Sequence, residues 1–139
     1  MMERLVVDSS ILAASSLETD RFHQESLKFT QGLETGSYTF HVPNLGLVEV
    51  ISAVSRQSRT NRLAMLARTI QSLTDCEQTG VMVLYPLNRN RMELASSIAI
   101  RFRLRGADSV FAALAEELEI PLKTFDQEIL DRFPLANRT

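Results

Sequence analysis

Four carboxylates stand apart from the other acids because each lies within or beside apolar sequence. Asp8 ends the run LVVD, Glu49 interrupts LGLVEVISAV, Asp108 lies near the start of RGADSVFAALAEELEI, and Asp126 ends LKTFD. Acids that meet in one cleft repel one another unless a cation neutralises them. Carboxylate ligands without His or Cys favour Mg²⁺ or Mn²⁺ over zinc. The four acids therefore predict a site for a hard divalent cation.

Three of these acids also have a structural explanation. Asp8 suits the N-cap of a following helix, and Asp108 interacts favourably with a helix N-terminus. Glu49 would be costly to bury alone, but Arg56 and Ser52 lie on the same helix face and could pair with it. A metal site requires that the four acids lie close together in space, whereas helix caps and ion pairs can form at separate places in the fold.

The composition fits one compact domain over residues 1–139. The chain is 45% hydrophobic and 23% charged, with a net charge of -2. Its one cysteine, Cys76, excludes an internal disulfide and a Cys-rich zinc site, so we expect a cytoplasmic protein. Apolar runs such as 81–85 are far shorter than the roughly 20 residues of a membrane helix. We expect neither a membrane span nor an export signal.

Strand-like and helix-like segments alternate along the chain. Glycine and proline bound short β-rich runs at 4–8, 37–42, 81–85 and 122–126, and capped helical periodicity covers 20–33, 44–58, 60–77, 88–102 and 107–118. This order predicts an α/β fold, a three-layer α/β/α sandwich around a central parallel sheet of four to five strands. In such sheets ligands bind where strands end and helices begin, which is where three of the four acids lie.

The segments that carry these acids resemble a known family. VVDSSILAA, the Glu of NLGLVEVISAV, RGADSVFAALAEELEIPL and KTFD resemble the PIN-domain ribonucleases, and within them the VapC-type toxins of toxin–antitoxin pairs. The resemblance extends from about residue 4 to about residue 130. It implies a PIN-like fold and an endoribonuclease that hydrolyses RNA phosphodiester bonds with Mg²⁺ or Mn²⁺.

The resemblance also assigns residue roles and partners. Asp8, Glu49, Asp108 and Asp126 fall on the family's catalytic, metal-binding acids, and Ser9 and Thr124 on hydroxyl positions that support them. Glu128 is a weaker candidate. The partners implied are an RNA substrate, a cognate antitoxin and a second copy of the chain in a homodimer.

Arginine supplies 13 of the 15 basic side chains, and it suits bidentate contact with phosphate. Arg103 and Arg105 precede Asp108 closely, so we predict that these two contact the RNA backbone. Arg56, Arg59 and Arg62, at the junction of two predicted helices, are further candidates for phosphate contact, although solvated surface is the favoured interpretation for most of these arginines.

Other functions fit the sequence less well. A haloacid-dehalogenase-like phosphatase needs a second Asp two residues after the first, where this chain has Ser10, and a receiver domain needs an acid on a middle strand. Neither His23 nor His41 has a nucleophile or a metal ligand at a spacing typical of a catalytic or metal-binding motif. No nucleotide-binding glycine motif occurs in the sequence. The remaining alternative is a catalytically inactive PIN-like module that binds RNA or protein.

Overall fold

The computed structural model describes residues 2–138, which contain five strands and seven helices. In chain order they are β1 (Glu3–Val7), α1 (Ser9–Ser16), α2 (His23–Glu34), β2 (Tyr38–Pro43), α3 (Asn44–Gln57), α4 (Arg62–Gln78), β3 (Met82–Tyr85), α5 (Arg89–Phe102), α6 (Gly106–Leu118), β4 (Leu122–Lys123), α7 (Gln127–Arg132) and β5 (Ala136–Asn137). No helix within residues 2–138 is both long enough and apolar enough to cross a membrane.

The five strands form one parallel sheet in the order β3-β2-β1-β4-β5. Right-handed crossovers place α1 to α4 on one face and α5 to α7 on the other. The predicted three-layer α/β/α fold is confirmed, and the sheet has five strands. The fifth is the two-residue β5, whose Ala136 and Asn137 pair with Leu122 and Lys123.

The core lies between the sheet and its two helical layers. Leu5, Val6 and Val7 of β1 are fully buried, as expected for a central strand covered on both faces. Helix α6 contacts β1, β2 and β4, and the small side chains of Ala112 and Ala115, both fully buried, allow it to lie close to them.

Several element boundaries differ from those predicted. Helix α2 begins at His23 rather than residue 20, because Asp20 Oδ1 accepts the Phe22 N–H (2.8 Å) in a turn before the helix. Helix α4 begins at Arg62 rather than residue 60, after Asn61 in the left-handed region (φ 52°). Strand β4 spans only Leu122–Lys123, so the residues up to Asp126 form a loop.

Candidate active site

The sheet order reverses at β1, and this reversal creates a crevice. The chain passes from β1 to β2 on one side and later returns to β4 on the other, and ligands bind at the carboxyl end of such a switch point. Asp8 directly follows β1, and its backbone N–H donates to the Lys123 carbonyl of β4 (3.1 Å). Thr124 and Asp126 follow β4 and therefore reach the same end of the sheet.

One cleft of about 740 Å³ at this end is lined by all four predicted acids: Asp8, Glu49, Asp108 and Asp126. Glu49 comes from α3, which follows β2, and Asp108 from the first turn of α6. Ser9 and Ser10 also line the cleft. With Asp20, Arg21 and Arg56 included, the lining has five carboxylates and two arginines. The structure thus brings the four acids together in a negatively charged cleft.

Asp8 is held from both sides by hydroxyl groups. Its Oδ1 accepts the Ser10 N–H (2.8 Å) and the Ser10 hydroxyl, and its Oδ2 accepts the Thr124 hydroxyl. The carboxyl is only 5% exposed, and burial raises its pKa to about 6, with a small further increase from the Asp108 charge and opposing effects of the hydrogen bonds. Asp8 is therefore fixed in orientation and costly to ionise.

Thr124 and Ser10 connect the ends of β1 and β4. Thr124 Oγ1 donates to Asp8 and accepts the Asp126 N–H (3.0 Å), while Ser10 Oγ donates to Asp8 and accepts the Phe125 N–H (3.3 Å). The resemblance implied that the Thr124 hydroxyl supports Asp126; in the structure it donates to Asp8 and contacts Asp126 only through the Asp126 backbone N–H. Ser10 was missed, although a DSS sequence after a strand is a typical signal for such a cap.

Two buried carboxylate oxygens lack a hydrogen-bond partner within residues 2–138, Glu49 Oε1 and Asp108 Oδ2. The alternative ion pair between Glu49 and Arg56 does not form. Burial raises the pKa of Glu49, as does the Asp108 charge, while Ser9 acts in the opposite direction. A buried acceptor without a hydrogen bond is costly in free energy, and of these two oxygens Asp108 Oδ2 has an ion-pair contact with Arg105.

Arg105 is the basic side chain that reaches this acid cluster. Its Nε lies 3.4 Å from Asp108 Oδ2, and its Nη2 lies 3.5 Å from Asp126 Oδ2 and 3.7 Å from Glu128 Oε2. Burial raises the pKa of Asp108, Asp126 and Glu128 raise it further, and Arg105 opposes them. Because the Arg105 side chain is 70% exposed, solvent screens these contacts strongly.

Arg103 points to a different environment from Arg105. It caps the end of α5 in the left-handed region (φ 55°), and its carbonyl accepts a hydrogen bond from Arg132 (2.5 Å). In the described part of the chain, Arg105 forms ion pairs with Asp108 and Asp126, and Arg103 forms none with these acids. The structure therefore brings Arg105, but not Arg103, to the acids.

The donor set of the cleft fits a hard divalent cation. Its lining offers carboxylate and hydroxyl oxygens and neither His nor Cys, and two of its buried carboxylate oxygens accept no hydrogen bond from the described residues. Within residues 2–138, no three His, Cys, Asp or Glu side chains stand in an arrangement that could hold a metal ion as they lie. To bind an ion, the acidic side chains would have to change rotamer. In the structure, the Arg105 guanidinium is the positive charge beside Asp108 and Asp126.

Comparison with known proteins identifies the fold family. The model of the PIN domain family matches residues 5–134. The chain belongs to the PIN domain family. No match was found among curated protein sequences.

Solved structures of low sequence identity share this PIN fold. VapC20 of Mycobacterium tuberculosis, described as a sarcin-ricin loop cleaving toxin, superposes with a TM-score of 0.70 at 16% identity, covering 91% of this chain and 93% of that one. FitAcB of Neisseria gonorrhoeae gives 0.74 at 12% identity, with 97% and 96% covered. A toxin-antitoxin complex from Klebsiella pneumoniae gives 0.69 at 16% identity, with 96% and 95% covered.

Proposed function

We propose that this PIN-family protein is a Mg²⁺- or Mn²⁺-dependent endoribonuclease and the toxin of a VapBC-type toxin–antitoxin pair. The observation that carries the proposal is the cleft where Asp8, Glu49, Asp108 and Asp126 converge, with two buried carboxylate oxygens that accept no hydrogen bond within residues 2–138. A cluster of carboxylates raises the pKa values of its members or binds a counter-ion, and a phosphodiester substrate adds further negative charge. A divalent cation relieves both.

The residues of the cleft take distinct roles in this proposal. Asp8 and Asp108 are the principal metal ligands, Asp126 is a further ligand, and Glu49 is a ligand or the base that orients water. When bound, the ion supplies Lewis-acid stabilisation of charge on the phosphoryl and leaving oxygens. Thr124 fixes the orientation of Asp8, and the raised pKa of Glu49 makes its carboxylate a better proton acceptor than an exposed glutamate.

RNA, an antitoxin and a second copy of the chain are the proposed partners. VapC20 is described as cleaving the sarcin-ricin loop, and the Klebsiella structure is a toxin-antitoxin complex. Apolar side chains that a protein partner could cover are exposed on this chain, with Leu63 of α4 at 79% and Ile100 of α5 at 81%. Light scattering at micromolar concentration tests the homodimer, and a monomer mass contradicts it.

Cleavage of RNA by an acid variant and its matched control tests the activity. Asp108→Asn removes a proposed metal ligand from the cleft. Asp131→Asn removes an exposed acid of α7 that accepts a hydrogen bond from the Gln127 side chain. With Mn²⁺ present, we expect Asp108→Asn to reduce the cleavage rate at least about 100-fold, since a metal ligand is lost, and Asp131→Asn to cleave at the wild-type rate. Equal rates in both variants would reject the proposal.

The second candidate function is an inactive PIN-like module that binds RNA or protein. Two observations favour it: no three side chains within residues 2–138 stand ready to hold a metal ion, and Arg105 already contacts Asp108, Asp126 and Glu128. Under this alternative the arginine is the permanent counter-ion of the cluster. Titration with Mn²⁺ discriminates, because the module binds none.

A further inference from the structure

A second cleft adjoins the acidic cleft and has the opposite charge. Its volume is about 920 Å³, and it lies between the end of α1, the start of α2, the turn from α3 to α4, and α4 itself. Its lining includes three arginines, Arg56, Arg59 and Arg68, and a single carboxylate, Glu18. Arg56 and its neighbour Gln57 line both clefts, so the two clefts adjoin. We call this second cleft the basic cleft.

The arginines of the basic cleft are available to a ligand. All three are exposed, and within residues 2–138 none of their guanidinium groups takes part in an ion pair. Five other arginines do form such pairs: Arg91, Arg101, Arg105, Arg132 and Arg138. Unpaired arginines gathered along one cleft create a local positive potential.

The turn that carries Arg59 is fixed rather than loose. Arg62 Nε donates to the Ser55 carbonyl (2.9 Å) and Arg62 Nη2 donates to Ser55 Oγ (2.5 Å), so the end of α3 is tied to the start of α4. Ser58 Oγ contacts Met65 Sδ across the same turn (3.5 Å). A fixed turn holds Arg56 and Arg59 on the cleft wall before any ligand arrives, which lowers the entropic cost of binding.

We propose that the basic cleft binds the phosphates of single-stranded RNA next to the cleavable bond, through Arg56, Arg59 and Arg68. This rests on the proposed function, because it takes the acidic cleft as the place where one phosphate is cut. An RNA strand bound at the acidic cleft lies next to five carboxylates, which repel its neighbouring phosphates. The arginines of the adjoining basic cleft can neutralise those phosphates. Charge and proximity both favour this path over Arg103 and Arg105, the contacts predicted from sequence.

The test is RNA affinity as a function of salt for two matched double variants. Arg59→Ala with Arg68→Ala removes two charges from the basic cleft without touching the lining of the acidic cleft. Arg4→Ala with Arg89→Ala removes two exposed arginines that line neither cleft. Binding of a labelled 20-nucleotide single-stranded RNA is followed by fluorescence anisotropy in EDTA, so that no cleavage interferes.

We expect the Arg59→Ala, Arg68→Ala variant to bind the RNA on the order of 10-fold more weakly than wild type at 0.1 M salt. The negative slope of log K against log salt should become less steep by about 1.4, because two phosphate contacts are lost. The control should match wild type, and Arg59→Lys with Arg68→Lys should retain most of the slope, because charge is kept. Equal affinity and slope in wild type and the basic-cleft variant would overturn the inference. So would RNA binding that is unchanged while binding of an acidic protein is lost.

The outcomes also separate this inference from the proposed function. If Asp108→Asn abolishes RNA cleavage but the Arg59 and Arg68 substitutions leave RNA binding unchanged, the nuclease stands and the basic cleft is not its RNA path. If those substitutions weaken RNA binding but wild type cleaves no RNA with Mg²⁺ or Mn²⁺, the basic cleft stands as an RNA site and the nuclease proposal fails.

Discussion

Asp8 is the most buried of the four acids, and its environment sets a clear dependence of stability on pH. Burial raises its pKa from 3.8 to about 6 in the folded protein. Between these values the native state binds more protons than the unfolded state, so the free energy of unfolding falls as pH rises from about 4 to about 6 and is level above that. The stability gained by protonation is thus present at low pH and lost at neutral pH.

Asp8→Asn removes this titration. Without added metal, we expect the free energy of unfolding of the variant minus that of wild type to be up to about 3 kcal/mol higher at pH 8 than at pH 4, because only wild type loses stability over this range. Hydrogen bonds altered by the substitution shift both values alike, so the difference between the two pH values is the informative quantity. Urea unfolding at each pH measures it, with Asp131→Asn as a control. Parallel pH profiles for Asp8→Asn and wild type would contradict the assignment.

Arg105 contacts carboxylates that are proposed to bind a cation, so we expect the two to compete. Its contacts with Asp108 and Asp126, at 3.4 and 3.5 Å, stabilise the cluster without metal by a few tenths to 1 kcal/mol each at such exposure. We therefore expect Arg105→Ala to bind Mn²⁺ about 2- to 5-fold more tightly than wild type in calorimetry.

Arg101 supplies the matched control for Arg105. It forms an exposed ion pair with Glu116 at 3.0 Å, away from the acidic cleft. Arg101→Ala should leave Mn²⁺ affinity unchanged. Weaker Mn²⁺ binding by Arg105→Ala would mean that Arg105 supports the site rather than competing for it.

At the scale of elements, close packing of α3 positions Glu49. A Cβ on Gly46 would lie 2.7 Å from Val42 Cγ1 and 3.2 Å from the Phe111 ring, so glycine allows α3 to approach β2 and α6. We expect Gly46→Ala to destabilise the protein by about 1 to 3 kcal/mol. Gly106→Ala, whose Cβ would meet nothing within 4 Å at the start of α6, should stabilise it by about 0.4 to 1 kcal/mol. Thermal unfolding measures both, and a stable Gly46→Ala would refute this packing.

Elements with strong local signals were predictable from sequence. Asn88 caps α5 through a hydrogen bond to the Arg91 N–H (2.9 Å), as its position before a helical pattern indicated. The start of α4 was not, because Asn61 takes a left-handed conformation that tertiary structure selects. Strand β5 has only two residues, too few for any periodicity, so its existence depends on pairing with β4.

The candidate site was predictable for the same reason that the sheet was. An acid at the end of a parallel strand has little choice of position, so the place of Asp8 follows from strand order, whereas Asp126 is placed by the loop after β4 and caps α7. Contacts between distant side chains were not predictable: the Arg105 approach to Glu128 and the bridge made by Ser10 depend on geometry. The unpaired arginines of the basic cleft depend likewise on how α4 packs against α1 and α2.

At the scale of the whole molecule, charge is separated although the net charge is only -2. Five carboxylates line one cleft, and three arginines line the adjoining one. A cation in the acidic cleft would neutralise its carboxylates, and the phosphates of an RNA would neutralise the arginines of the basic cleft. The proposed RNA path therefore runs from a cleft lined mainly by carboxylates to a neighbouring cleft lined by arginines.

Calorimetric titration with Mn²⁺ tests the claim that this acidic cleft binds a divalent cation most directly. Wild type and Asp131→Asn should bind Mn²⁺ alike, whereas Asp8→Asn and Asp108→Asn should each bind at least about 10-fold more weakly, because each loses a charged ligand. A rise in thermal stability with Mn²⁺ should accompany binding in the first pair only. Absence of Mn²⁺ binding by wild type, or equal affinity in all four proteins, would contradict the account.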